Sequence, residues 1–382
     1  MRPIQMVDTK TQYQKIKTEI DKAVIDVMES TAFINGKAVH EFASALSGYI
    51  GVKHTIPCAN GTDALQIAMM ALGLKPGDEV ITPSFTYIAT TEVIALLRLT
   101  PVFAEVDKKT FCITPESIRS AITPKTKAIV PVHLYGQAAP MEEIMAIAKE
   151  FNLFVIEDNA QAIGSDYTFS DGTKKKTGSI GHIGSTSFYP SKNLGGFGDG
   201  GAIFTNDDEL AAKMKMIANH GQSRQYYHDV VGCNSRLDSI QAAILNIKLK
   251  HLDEYAAARI KVADYYDAAF SQCPTIITPF RSSATKHVFH QYTILLNPKD
   301  NPAEYRNGLK EFLAKHNIPA MIYYPVPGHK QKMFESLAQQ NVSLPVTDWL
   351  TERVISLPVH TEMDDEQLGF ISSKILEYIN NQ

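Results

Sequence analysis

The 382-residue chain has four cysteines, one tryptophan and little charge imbalance. Cys58, Cys112, Cys233 and Cys273 lie far apart and form no CxxC pair. Such spacing argues against a zinc site and against a disulfide framework, so no metal is expected. No stretch approaches the ~20 consecutive apolar residues of a membrane span. The opening MRPIQMVDTKTQ has no apolar core of a secretory signal. These absences predict a protein of the reducing cytoplasm with no membrane partner. The formal charge of −4 leaves no basic footprint for nucleic acid. A GxxxxGK[ST] loop is also missing, which disfavours nucleoside triphosphate as a ligand.

What is present is ordinary globular material, 44% hydrophobic and 20% charged. The length suffices for two domains. Between residues 63 and 250, short β-branched runs alternate with helical patterns. Strands are expected at Val80–Thr82, Val102–Val106, Ala128–Val132, Leu153–Ile156, Thr186–Phe188 and Ala202–Phe204. Helices are expected at Asp63–Leu72, Met141–Glu150 and Glu209–Ala218. In the second of these helices, apolar residues fall at 141, 144, 145, 147 and 148, which is helical spacing. The alternation predicts an α/β fold with a mostly parallel sheet covered on both faces. Past about residue 238 the texture changes. A long helical region runs from Ser239 towards Cys273, with possible breaks. A strand at His287–Leu296, a helix at Pro302–Lys315, a strand at Ala320–Tyr324 and a helix at Asp364–Ile379 then predict a smaller α/β unit. The expected division is 1–245 for the large domain and 246–382 for the small one.

Three segments carry complementary chemistry. Asp158 follows the expected strand Leu153–Ile156, and ligands of open α/β sheets bind at the carboxyl ends of strands. Taken singly, such an aspartate is more often a helix cap. Its alternative role is to oppose a cationic ring nitrogen. Lys192 lies in a turn between two short strands, amid Gly195, Gly196, Gly198, Gly200 and Gly201. Taken singly it is a surface lysine. The preceding Phe188, Tyr189 and Pro190 point to partial desolvation, which lowers an amine's pKa and makes it nucleophilic. Asn60-Gly61-Thr62 precedes a helix, and free N–H groups at a helix start favour an anion. A plain capped helix accounts for that turn equally well. Together the three supply a phosphate cradle, a pyridinium partner and a Schiff-base amine, the set that pyridoxal phosphate (PLP) requires.

Seven blocks then mark a resemblance. They are NGTDAL (60–65), GDEVITPSFTYIAT (77–90), PVHLYGQ (131–137), VIEDNAQAIGS (155–165), SFYPSKNLGGFGDGGAIFTN (187–206), NSRLDSIQAAIL (234–245) and YYPVPGHKQ (323–331). With them the chain resembles the sugar aminotransferases of the DegT/DnrJ/EryC1/StrS family, over essentially its whole length. The resemblance implies a fold-type I PLP enzyme with a seven-stranded sheet and a smaller C-terminal domain. It implies that Lys192 is the Schiff-base lysine and proton shuttle, that Asp158 partners the ring nitrogen, and that Gln161 bonds the ring hydroxyl oxygen. Tyr87 would stack on the ring, while Gly61, Thr62 and Ser187 would hold the phosphate. It further implies a homodimer with shared active sites, in which Asn234 reaches the neighbouring chain's phosphate.

The same resemblance implies L-glutamate as amino donor, 2-oxoglutarate as its product, and a keto-sugar nucleotide as acceptor. The GDGG at 198–201 favours amination at C3 over C4. The nearest branch acts on UDP-2-acetamido-2-deoxy-3-oxo-glucuronate, for surface polysaccharide such as lipopolysaccharide. Arg236 would pair with the uronate carboxylate through a bidentate fork, with Tyr323 and Tyr324 as further contacts. That branch often has His-Tyr-Pro where this chain has Tyr323-Tyr324-Pro325. Other UDP- or dTDP-keto-deoxysugars, aminated at C3 or C4, are the alternative substrates. A sugar-nucleotide binder without catalysis would need neither Lys192 nor Asp158.

Overall fold

The computed structural model describes residues 1–335 and 342–381. Seven strands form the main sheet: β1 His54–Cys58, β2 Glu79–Pro83, β3 Thr100–Ala104, β4 Thr126–Ile129, β5 Phe154–Asp158, β6 Ile183–Ser187 and β7 Gly201–Thr205. Their spatial order is β1-β7-β6-β5-β4-β2-β3. β7 runs antiparallel to both its neighbours, and every other pairing is parallel. β1 was not expected from sequence. It is short and contains Pro57, which a central strand would not tolerate. Its place at the sheet edge accommodates that proline.

Helices cover both faces, and strands such as β2 and β7 are buried on both sides. One apolar layer joins β1, β5 and β7 to the helices Gly61–Ala71 and Asp208–Ala218 through Leu65, Met69, Ile156, Ile203 and Met214. The other joins β2, β4 and β5 to the helix Met141–Phe151 through Ile81, Ile129, Ile144, Ile147 and Val155. The expected helix at 141–150 is thus present, with its apolar positions 141, 144, 147 and 148 buried.

Beyond residue 238 the expected long helix is two, Ser239–Leu249 and Leu252–Phe270. The first packs against the helices Lys17–Ser30 and Lys37–Ile50. The second belongs to a separate apolar cluster with Tyr292, Leu309, Ile355, Leu368 and Ile371. That cluster also takes Ile4, and the Arg2 guanidinium bonds to Asp364 at 2.9 Å. Here the strands are Ile276–Ile277, Tyr292–Leu296 and Val354–Leu357.

Two expectations need correction. The strand placed at His287–Leu296 begins only at Tyr292. Residues 288–291 instead form an arch tied by Val288 N to Gly136 O and by the Asn193 side chain to Val288 O. The strand placed at Ala320–Tyr324 does not form. Met321 makes a single bridge to Ser356, and the tyrosines that follow turn to a cavity. A further cluster brings Phe85, Phe111 and Tyr135 together with Tyr323, Tyr324 and Trp349. The Trp349 ring there has the Lys108 amine 3.7 Å from its centroid.

Candidate active site

A cavity of about 770 Å³ opens at the carboxyl ends of the parallel strands, ample for a cofactor-sized molecule. Its floor is Asp158, the last residue of β5 and 6% exposed. The carboxylate accepts from the Thr90 hydroxyl at 2.7 Å and from Ala160 N at 3.1 Å. It therefore makes the local turn that a capping aspartate makes, and still lines the cavity.

Lys192 enters the same cavity on the turn after β6. The turn is closed by Lys192 N donating to Tyr189 O at 2.8 Å. Burial pushes the amine's pKa down to about 8, against the pull of the Asp158 carboxylate. Desolvation disfavours the ammonium form, so roughly a tenth of the amine is neutral at pH 7, far more than for an ordinary lysine.

The third wall is the start of the helix Gly61–Ala71. Asn60 caps it, its side chain accepting from Asp63 N at 2.8 Å. The cap leaves the first N–H groups free. Gly61 is required here: a Cβ would lie 2.7 Å from Ser187 Cβ. Thr62 and Ser187 line the cavity beside it.

Gln161 and Tyr324 complete the inner face. The Gln161 amide nitrogen donates to Tyr324 Oη at 3.1 Å, and its oxygen accepts from Tyr135 N at 2.9 Å. Burial and the nearby Asp158 push the Tyr324 phenol well above its ordinary value, so it stays protonated. Tyr87 is 57% exposed and faces Tyr324 with ring centroids 6.2 Å apart. Its openness rules out the role of a core aromatic.

The cavity thus gathers Gly61, Thr62, Tyr87, Asp158, Gln161, Ser187, Lys192, Tyr323 and Tyr324. Asn234 and Arg236 do not line it. Asn234 pairs with Asn219 in an isolated bridge, and Arg236 donates to the Asn219 side chain at 3.2 Å. His290 and Gln291, from the arch, line the cavity and were missed from sequence. No motif or periodicity marks them. His133 is fully buried and bonds Glu157 at 2.9 Å. Among the described residues no helix is long and apolar enough to cross a membrane, and no cluster of three or more His, Cys, Asp or Glu could hold a metal.

These residues fit PLP. A buried carboxylate, a partly desolvated amine, free helix-start N–H groups and an open aromatic face share one cavity of suitable volume. The comparisons with known proteins agree. The model of the DegT/DnrJ/EryC1/StrS aminotransferase family matches residues 14–376. A pleiotropic regulatory protein of Geobacillus stearothermophilus is 44% identical over 377 residues, 98% of each chain. The UDP-2-acetamido-2-deoxy-3-oxo-D-glucuronate aminotransferase of Pseudomonas aeruginosa is 44% identical over 372 residues, 97% of this chain and 99% of the relative. The solved structure of NtdA from Bacillus subtilis, with bound cofactor PMP, is 30% identical. It superposes with a TM-score of 0.87, covering 96% of this chain and 82% of that one. This chain belongs to the DegT/DnrJ/EryC1/StrS aminotransferase family, and it is a PLP-dependent aminotransferase.

Proposed function

We propose that the protein transfers an amino group from L-glutamate to the 3-keto position of a UDP-linked sugar, with UDP-2-acetamido-2-deoxy-3-oxo-glucuronate as the leading substrate. The observation that carries this reading is the single cavity in which the Lys192 amine faces the Asp158 carboxylate. The Pseudomonas relative supports the sugar.

Bound PLP supplies an electron sink for the pair left when an amino carbon loses its proton. The protein's part is proton transfer and positioning. Lys192 would hold the cofactor through its amine, and that amine, when free and neutral, would take the donor's Cα proton and pass it on. In the second half the same amine would deliver a proton to the carbon that held the sugar's keto oxygen. A base with a pKa near the working pH suits both directions. The Asp158 carboxylate holds positive charge on the ring nitrogen. The N–H groups of Gly61 and Thr62 and the Ser187 hydroxyl bind the phosphate. Tyr87 covers the ring face, and Gln161 reaches the ring hydroxyl while anchoring Tyr324.

Asn234 and Arg236 lie off the cavity of their own chain, which supports a homodimer in which they serve the partner's site. There Arg236 meets the uronate carboxylate, with Tyr323 and Tyr324 lining the sugar. A division into a large domain of residues 1–245 and a small one of 246–382 is supported by the separate apolar core that the helix Leu252–Phe270 joins. The protein works in the cytoplasm and feeds surface polysaccharide, including lipopolysaccharide.

A panel of UDP- and dTDP-keto-sugars with glutamate, scored by the mass of the amino product, tests the reading. Activity is expected on 3-keto UDP sugars, strongest on the uronate. Activity confined to 4-keto sugars would overturn the regiochemistry. Borohydride reduction followed by peptide mass should place the pyridoxyl group on Lys192, and its appearance on another lysine would overturn the assignment.

A further inference from the structure

The segment 323–331 supplies Tyr323 and Tyr324 to the cavity, yet it is neither helix nor strand up to Gly328. Tyr323 and Tyr324 pack against the cluster around Phe85 and Tyr135, while Pro325 and Val326 after them are exposed. The segment's position also depends on discrete ties to the loops that follow the sheet strands. The Tyr135 hydroxyl donates to Tyr323 O, and Gln161 donates to Tyr324 Oη. A third tie lies farther along, at Ser84 and His329, two residues with no place in the catalytic chemistry.

Ser84 immediately follows β2 and is fully buried, and His329 is 4% exposed. Ser84 Oγ and His329 Nδ1 are 2.7 Å apart, a hydrogen bond whichever ring nitrogen holds the proton. The same Oγ accepts from His329 N at 3.0 Å, while Ser84 O accepts from Gly328 N at 2.8 Å. Gly328 is needed for this approach, because a Cβ there would lie 3.0 Å from the Phe103 ring and 3.2 Å from Ser84 O. His329 Nε2 faces Asp348 Oδ1 at 3.7 Å, and Lys330 meets the same carboxylate at 2.6 Å. Neither Ser84 nor His329 lines the cavity. Ser84 nevertheless stands two residues before Thr86 and three before Tyr87, which do.

We propose that Ser84 and His329 form a positioning clip that holds the Tyr323–Gln331 segment in place as the substrate wall of the cavity. Two side chains and three backbone groups close on each other, the side chains across 245 positions of sequence. The clip joins the loop that bears Tyr87 to the segment that bears Tyr324. It acts through the tyrosines and touches neither cofactor nor substrate. Loss of the clip therefore weakens substrate binding more than it slows the bound complex.

The proposal rests on the function above only for the choice of substrate. Ser84→Ala and His329→Ala should each raise KM for the sugar nucleotide about tenfold, a loss of the size one buried hydrogen bond commands. In both, kcat should stay within about twofold, and the PLP absorption band should persist. The double variant should be no worse than either single one, because both remove the same link. His329→Asn, which keeps an acceptor near the Nδ1 position, should recover most of the affinity. If the alanine variants fail to fold, Ser84→Cys carries the test, since it keeps the shape and weakens the bond. Amide exchange at Gly328 and His329 should accelerate in every variant that lacks the bond, with no substrate present. An unchanged KM in Ser84→Ala, or additive losses in the double variant, would overturn the clip. Absence of turnover in the unaltered protein would sink the functional reading instead, and unaltered exchange at Gly328 and His329 would still refute the clip.

Discussion

Replacing Asp158 with asparagine removes one buried charge and little else. The side chain keeps its size, the Thr90 hydroxyl can turn to accept from the new amide, and Ala160 N retains an oxygen acceptor. The fold should survive, with a melting temperature within a few degrees of the parent. Catalysis should not. Asp158 is 6% exposed, so a cationic ring nitrogen left opposite an amide is a buried charge without its partner. Breaking such a pair costs about 3 kcal/mol or more. At about 1.4 kcal/mol per factor of ten, turnover should fall at least about a hundredfold. The same substitution acts on Lys192. The carboxylate opposes the desolvation that lowers the amine's pKa to about 8. Its removal should move that pKa lower still, which lysine labelling of the cofactor-free protein across pH, read by mass spectrometry, will report. Retention of turnover within tenfold, or a labelling profile that moves to higher pH, would refute the assignment of Asp158.

Cofactor capture offers a second test. Only the neutral Lys192 amine attacks an aldehyde, and its lowered pKa leaves it neutral above about pH 8. The rate of PLP uptake, followed by absorbance, should rise with pH and level off above about 8, and Lys192→Ala should show no covalent uptake at any pH. Gly61→Ala should weaken PLP binding about tenfold or more, because the new Cβ meets Ser187 Cβ at 2.7 Å and overpacking costs about 1–3 kcal/mol; equilibrium dialysis measures it, and unchanged affinity would show that the turn does not hold the phosphate.

The helix Met141–Phe151 was legible because one face is apolar at helical spacing and that face meets the sheet. β1 was not, since five residues with an internal proline show no period, and only the edge of the sheet makes them a strand. The run at 320–324 has strand composition, but its tyrosines are drawn to the cavity and a proline follows. Local propensity lost there to tertiary ties. In the cavity, the residues marked by motifs came together, because each motif sits where a strand or helix meets a loop. Asn234 and Arg236 share a motif and lie off their own chain's cavity. His290 and Gln291 were invisible, since a bend set by contacts with Gly136 and Asn193 brings them to the site. Thr90 closes the block at 77–90, but its tie to Asp158 spans 68 positions and exists only in the folded chain.

The lone tryptophan has a practical use. Trp349 follows Asp348, the carboxylate opposite His329, and shares an apolar cluster with Tyr323 and Tyr324. The Lys108 amine and the Arg353 guanidinium lie 3.7 Å and 4.5 Å from its ring centroid, and nearby cations shift indole emission. All the tryptophan fluorescence of this chain therefore comes from one corner, packed against the tyrosines that line the cavity. A stopped-flow trace at that wavelength would time the settling of the tyrosine wall around an arriving sugar, in the native protein and without a label.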